Sequence, residues 1–196
     1  NIGPEVLEVG NSLVRVGVSL LINNWVPDTY ALDIKTLDET YLHIIYNVPA
    51  VGLGIDGFAA GSLTIMGNEY GTSINSDLLV DDCIINLGQS SSEPSNSDFS
   101  LFTDMKFTTG RKVQFIWPTN TIPILRATAE PGQSISFKMD NTSSTYSING
   151  DVNIKYGGIY YFQKSFRLSE GSIIFNENES KFDPLLDFKA QIKEVD

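Results

Sequence analysis

Cys83, in "LLVDDCIINL", and His43, in "TYLHIIYN", are the only thiol and the only imidazole in this chain of 196 residues. A thiol acts as a nucleophile when a base beside it holds it as thiolate. His43 is the one candidate base, and it sits in a different apolar strand far along the chain. Cys83 therefore reads as a small hydrophobe in a half-buried strand, and with no second cysteine it cannot form an internal disulfide. A Ser-His-Asp triad would also have to recruit His43, and no "GxSxG" elbow or strand-to-helix turn exists to present the serine. Zinc or iron held by nitrogen and sulfur needs more such ligands than one histidine and one cysteine supply. Asp81 and Asp82 are adjacent in a strand pattern, so they point to opposite faces and cannot share a proton as a catalytic dyad. "NENESKFD" gathers Glu177, Glu179 and Asp183, but without the spacing and glycine of a calcium loop it reads as a solvated acidic turn. "GLGIDG" is half of a dinucleotide fingerprint with no amphipathic helix after it to meet a pyrophosphate. "NTS" at Asn141 and "NES" at Asn178 match glycosylation sequons, which arise often by chance. No catalytic, cofactor-binding or metal site is expected.

Composition narrows the class further. With 13 Lys and Arg against 24 Asp and Glu the net charge is −11, and no basic stripe concentrates the cations. Such a chain repels a phosphate backbone, so no nucleic-acid partner is expected. Hydrophobic residues make up 41%, an ordinary folded proportion, yet no apolar run reaches the length of a membrane helix. No signal-peptide pattern opens the sequence.

The elements are nearly all strands. "SLVRVGVSL" sets Val14, Val16 and Val18 on one side, "TYALDIKTL" sets Tyr30, Leu32 and Ile34, and "TYLHIIYNV" sets Leu42, Ile44 and Tyr46. Period two is the signature of a strand with unequal faces. The same alternation aligns Val113, Phe115 and Trp117, then Ile135, Phe137 and Met139. It also gives one long register of Tyr146, Ile148, Val152, Ile154 and Tyr156, which Gly150 could bend. Gly57, Gly61, Gly67 and Gly71 mark turns and bulges. Glu170-Gly171 reads as a turn between Phe166/Leu168 and Ile173/Phe175. In "LLDFKAQIKEV", Leu186, Phe188, Ala190 and Ile192 face one way, and Asp187, Lys189, Gln191 and Lys193 face the other. Residues 89–100 form a polar inserted loop. No helix-period stripe is available to cover these apolar faces, so they must meet another sheet face or line a groove. A closed β-sandwich, or a β-solenoid binding or adhesion module of a cell-surface protein, is the alternative to an open trough.

From Ile124 to Ile192 the chain resembles the C-terminal domain family of TamB, the inner-membrane subunit of the translocation and assembly module. The carrying residues are Glu130-Pro131-Gly132, Gly150 with Gly158-Ile159-Tyr160, Lys164 with Phe166, Gly171 with Phe175, and Pro184-Leu186-Asp187-Ala190. Residues 125–196 are the most family-like part, and a looser likeness begins near Gly52. "QKSF" replaces the more usual glycine before Lys164, and the loop 89–100 looks like an insertion.

The resemblance implies a fold and a role. The fold would be all-β: residues 1–196 as one segment of a long, curved, mostly antiparallel sheet, folded lengthwise into a taco or half-pipe with an apolar interior. The role would be a non-enzymatic lipid conduit in the periplasm of a diderm bacterium, carrying phospholipid toward the outer membrane and assisting outer-membrane protein assembly. A helix outside this fragment would anchor it to the inner membrane. Partners would be phospholipid acyl chains and, through the full-length protein, an outer-membrane barrel assembly protein of the TamA type. Apart from the resemblance, the strand "LLDFKAQIKEV" lies nearest an end, so its edge is expected to continue the sheet in the full-length protein and to pair with a second copy in the isolated fragment. The implied lipid-facing trough comprises Phe115, Ile135, Phe137, Ile148, Val152, Ile154, Phe166, Leu168, Ile173, Phe175, Leu186, Phe188, Ala190 and Ile192.

Overall fold

A computed structural model of the chain describes residues 2–48, 52–88, 99–119, 121–143, 145–161, 164–178 and 184–192, and every regular element among them is a strand. In chain order these are β1 (Ile2–Val9), β2 (Ser12–Asn23), β3 (Val26–Thr36), β4 (Leu42–Val48), β5 (Leu53–Asn68), β6 (Gly71–Leu87) and β7 (Ser100–Thr109). Then come β8 (Gln114–Trp117), β9 (Leu125–Ala129), β10 (Ser134–Asp140), β11 (Thr145–Tyr161), β12 (Lys164–Asn178) and β13 (Leu185–Ile192). Of the expected inserted loop 89–100, residues 89–98 lie outside the described residues, and Ser100 already opens β7. Glu179, Asp183 and the side chain of Glu177 lie outside them too.

The first strands run as antiparallel neighbours, β1–β2–β3–β5–β6, with β4 taking the remaining length of β5's edge. The β2–β3 hairpin turns on Asn24 and Trp25, both at positive φ (49° and 66°), as the right-handed twist of a two-residue hairpin requires. Beyond β6 the pattern changes. β7 lies parallel to β6, Gly71–Val80 against Ser100–Thr109, and β8 continues along the same edge, Ile84–Asn86 against Gln114–Ile116. β7 then pairs with β10, β10 with β11, β11 with β9, and β9 with β8.

The ladders thus return to β6 and close a six-stranded barrel, with β1–β5 and β12–β13 peripheral to it. This overturns the expected open taco or half-pipe. Long β6 and β11 each give one edge to two short barrel strands and the other edge to a flanking strand, β5 and β12 respectively. A half-pipe would have left those short strands in an open row. Here the parallel pairing to β6 joins the row to itself.

Irregularities sit where the barrel must turn. Val80 and Cys83 both point into the core although three positions apart, because a bulge at Asp82 (φ 45°) absorbs the odd residue. Gly57 lies opposite that bulge, and a Cβ there would sit 2.5 Å from the Cys83 Cα. The Glu170-Gly171 segment is not the expected turn: β12 runs through it with a register shift between Leu168 and Glu170. Gly171 is directly opposite Phe188, whose ring occupies the space a Cβ would take (2.2 Å to Cδ1). A bare strand position covered by a neighbour's aromatic ring is a recurrent way to keep glycine in a sheet. Tyr156 leaves the expected register of β11, because the pairing with β9 shifts between Ile154 and Tyr156, and its side chain is exposed.

The interior is filled. Phe115, Val113, Val152, Ile173 and Ala127 are fully buried, and the rings of Phe115 and Phe175 approach to 6.0 Å between centroids. Between Leu53, Ile85, Phe107, Phe115, Phe137 and Phe175 lies an apolar cavity of about 30 Å³. Small barrels ordinarily fill their interiors with side chains in this way. Phe115→Ala should therefore cost about 3–5 kcal/mol of unfolding free energy in urea titrations, the range for a large aromatic lost from a packed core. Phe102→Ala, on the exposed face of β7, should cost within about 0.5 kcal/mol, as surface changes do. Equal losses at the two positions would contradict the packed interior.

Candidate functional site

Cys83, on β6, is 1% exposed, and burial pushes its thiol up to about 12, so near neutrality it is protonated. His43, on β4, lies on the outer face, where its Nε2 is 2.8 Å from Asp56 Oδ1 and its ring is 5.3 Å from that of Phe58. Both His43 and Asp56 are more than half exposed. The thiol inside and the imidazole outside cannot act on one substrate.

Asp81 and Asp82 separate as well, though through the bulge rather than plain strand alternation. Asp81 is buried and accepts from the backbone N–H of Arg111 and from its guanidinium (Nη2–Oδ2 2.9 Å), while Asp82 meets Lys112 at 3.3 Å in the open. The hydrogen bond to Asp81, and then its charge, raise the pKa of the Arg111 guanidinium further above its ordinary value. These contacts bind the 110–112 turn to β6. Among the described residues no group of three or more His, Cys, Asp and Glu side chains is placed to hold a metal ion.

The trough residues implied by the family resemblance fall into two environments. Phe115, Ile135, Phe137, Ile148, Val152, Ile154, Leu168, Ile173 and Phe175 are buried in the common core, and Phe166 is half-buried. Leu186, Ala190 and Ile192 are exposed on β13, with Leu186 at 40% and Ile192 at 62%, while Phe188 is half-buried against the core. Register puts all four on the inward face of β12, since Leu186 opposes Ile173, Phe188 opposes Gly171, and Ala190 opposes Leu168.

A second uncovered apolar face went unmarked in the sequence. Directly opposed residues lie on the same side of a sheet. Val16–Ile34–Leu63, Val18–Leu32–Ile65 and Leu20–Tyr30–Gly67 are therefore three rows across β2, β3 and β5. Through Ile65↔Ile74 and Ile74↔Thr103 this face runs into the barrel's interior side. Among the described residues no second layer covers it: Val18 and Leu20 are 40% and 44% exposed. The opposite face is polar, with rows Arg15–Lys35–Ser62 and Gly17–Asp33–Thr64, where the Thr64 hydroxyl donates to Asp33 at 2.8 Å. The alternation in "SLVRVGVSL" and "TYALDIKTL" was the available signal. Alternation marks a strand with unequal faces and does not tell whether another layer covers the apolar one.

Among the described residues no helix is long and apolar enough to cross a membrane. Comparison with known families matches residues 81–195 to the TamB C-terminal domain, more than half of the chain and the part that contains most of the barrel. No curated protein and no solved structure matches it. The match includes the β8 ladder on β6, most of the filled interior and the β12–β13 face, and it brings with it a non-enzymatic family associated with envelope biogenesis and lipid handling. The chain belongs to the TamB C-terminal domain family.

Proposed function

We propose that the chain is a non-catalytic binding module of a periplasmic envelope-biogenesis protein, a closed barrel holding out amphipathic sheet whose uncovered apolar face receives phospholipid acyl chains. The observation that carries this reading is the face of Val18, Leu20, Leu32 and Ile65, continuous in register with the barrel interior yet, among the described residues, without a covering layer. Each methylene removed from water contributes about 0.8 kcal/mol, so a few rows of such side chains retain an acyl chain with no reactive group. The barrel offers no comparable space, since its cavity of about 30 Å³ has room for about one water molecule. Lipid is therefore held beside the barrel. An inner-membrane anchor and an outer-membrane partner of the TamA type belong to the same proposal, at the level of the whole protein.

A second reading, a conduit running through the chain, draws on the same register. The inward face passes from Leu32 by way of Phe107 and Phe137 to the trough residues of β13. It requires the barrel to open, so that Phe115, Ile135 and Ile148 meet lipid. Photo-crosslinking separates the two. A photoreactive residue at 20 should capture phospholipid in the envelope, the same residue at 33 should not, and at 137 it should capture none. Equal capture at 137 and 20 would establish the conduit instead. Protein adducts without lipid at 20 would make the face a protein-binding surface.

The absence of catalysis has its own test. The folded-state thiol pKa of Cys83, about 12, lies above its ordinary value of 9.0. The thiol therefore favours folding fully below pH 9, and that contribution is lost as the pH rises toward 12. Cys83→Ala should flatten this alkaline fall in urea-measured stability, and His43→Gln and Cys83→Ala should each leave envelope function unchanged in cells. Loss of function in a stably folded variant of either kind would contradict a purely binding role.

A further inference from the structure

Among the described residues β13 has a single neighbour, β12, so one row of its backbone N–H and C=O groups is open. Unpaired strand edges are templates for another strand unless something blunts them. At the opposite end of the sheet β1 is blunted: Pro4 lacks an N–H, and the ladder to β2 slips between Ile2 and Glu5. β4 also has an open edge, but its outward residues His43, Ile45 and Asn47 do not charge-select any register.

We propose that β13 pairs with β13 of a second copy of this chain, antiparallel, about a two-fold axis through Phe188. The charges choose that register. With Phe188 opposite Phe188, Asp187 of each strand faces Lys189 of the other, while Leu186 faces Ala190 on the apolar side. Sliding by one step while keeping the faces matched sets Asp187 against Asp187, or Lys189 against Lys189, and like charges directly opposite are unfavourable. The exposed Leu186 and Ile192 would gain cover, and Phe188, already seated over Gly171, would meet its own symmetry mate. Lys189 now meets Glu170 of β12 at 2.8 Å, both groups largely exposed, so its ammonium can turn to the new strand without leaving a buried charge behind. The pairing does not depend on what lies on the apolar face, and it extends that face across the axis.

Sedimentation equilibrium of the 196-residue chain over a wide concentration range tests it. A monomer–dimer equilibrium is expected. Asp187→Lys and Lys189→Asp should each raise the dimer dissociation constant about tenfold or more, because each creates two facing like-charge pairs. The double variant Asp187→Lys/Lys189→Asp restores the facing opposites and should return to within about threefold of the parent. Amide exchange in β13 should slow as dimer forms. A monomer at every concentration, a double variant as weak as either single one, or slowed exchange in β4 instead of β13 would each overturn the proposal.

Discussion

Two parallel ladders on one edge of β6 hold the molecule closed, and the rest of its architecture follows from them. Between these ladders the chain leaves β6 for the 110–113 turn, where the edge would otherwise come apart. Three backbone and side-chain contacts bridge it. Gly110 N–H donates to the Val80 carbonyl at 2.7 Å, Asp82 N–H donates to the Arg111 carbonyl at 2.8 Å, and the buried Asp81 carboxylate accepts from Arg111. A buried carboxylate is costly unless hydrogen-bonded, and here it receives both a backbone and a guanidinium donor. The facing turn at 130–133 is laced in the same manner: the Thr109 hydroxyl donates to the Glu130 carbonyl and accepts from the Gln133 N–H. Protein groups thereby bridge both interruptions in the short strands.

Closure decides which apolar residues can meet a ligand. Phe115, Phe137 and Ile148 share period-two alternation with Val18, Leu20 and Leu32, so sequence pattern assigns them the same role. Their surroundings differ. The first group touches side chains from opposed strands in a filled interior, and among the described residues the second faces no second layer. Hydrophobic burial stabilises the barrel through the first group and leaves the second partly exposed. One alternation thus gives a packed interior in one half of the molecule and a bare apolar face in the other.

Much of this was legible in the sequence, and what was missed has definite causes. "SISFKMD" predicts β10 as Ser134–Asp140, the span observed. The inward sets of β2, β3 and β4 also follow from alternation, because each strand's faces are decided locally. Closure is decided by a parallel partner, β7 on β6, which depends on a crossover connection and leaves no mark in either strand's own pattern. Gly171 shows the same limit on a smaller scale. Glycine after an acidic residue reads as a turn, whereas here it is the floor beneath Phe188, a residue of another strand.

The uncovered faces carry a cost that the charge distribution offsets. A single sheet layer with an apolar side resists unfolding less than the barrel does, because each strand is held by its ladder and little cross-layer packing. It also invites stacking with other molecules. The opposite side of that layer holds Asp33, Asp77 and Glu8 of β1, part of a net charge of −11 that repels other copies at close approach. Repulsion of this kind is screened beyond about 8 Å at physiological ionic strength, so it acts only where two acidic faces come close and opposes their stacking there. The acidic composition thus opposes stacking of copies through the polar side of the layer, while the rows Val18–Leu32–Ile65 and Leu20–Tyr30–Gly67 on its other side carry no charge.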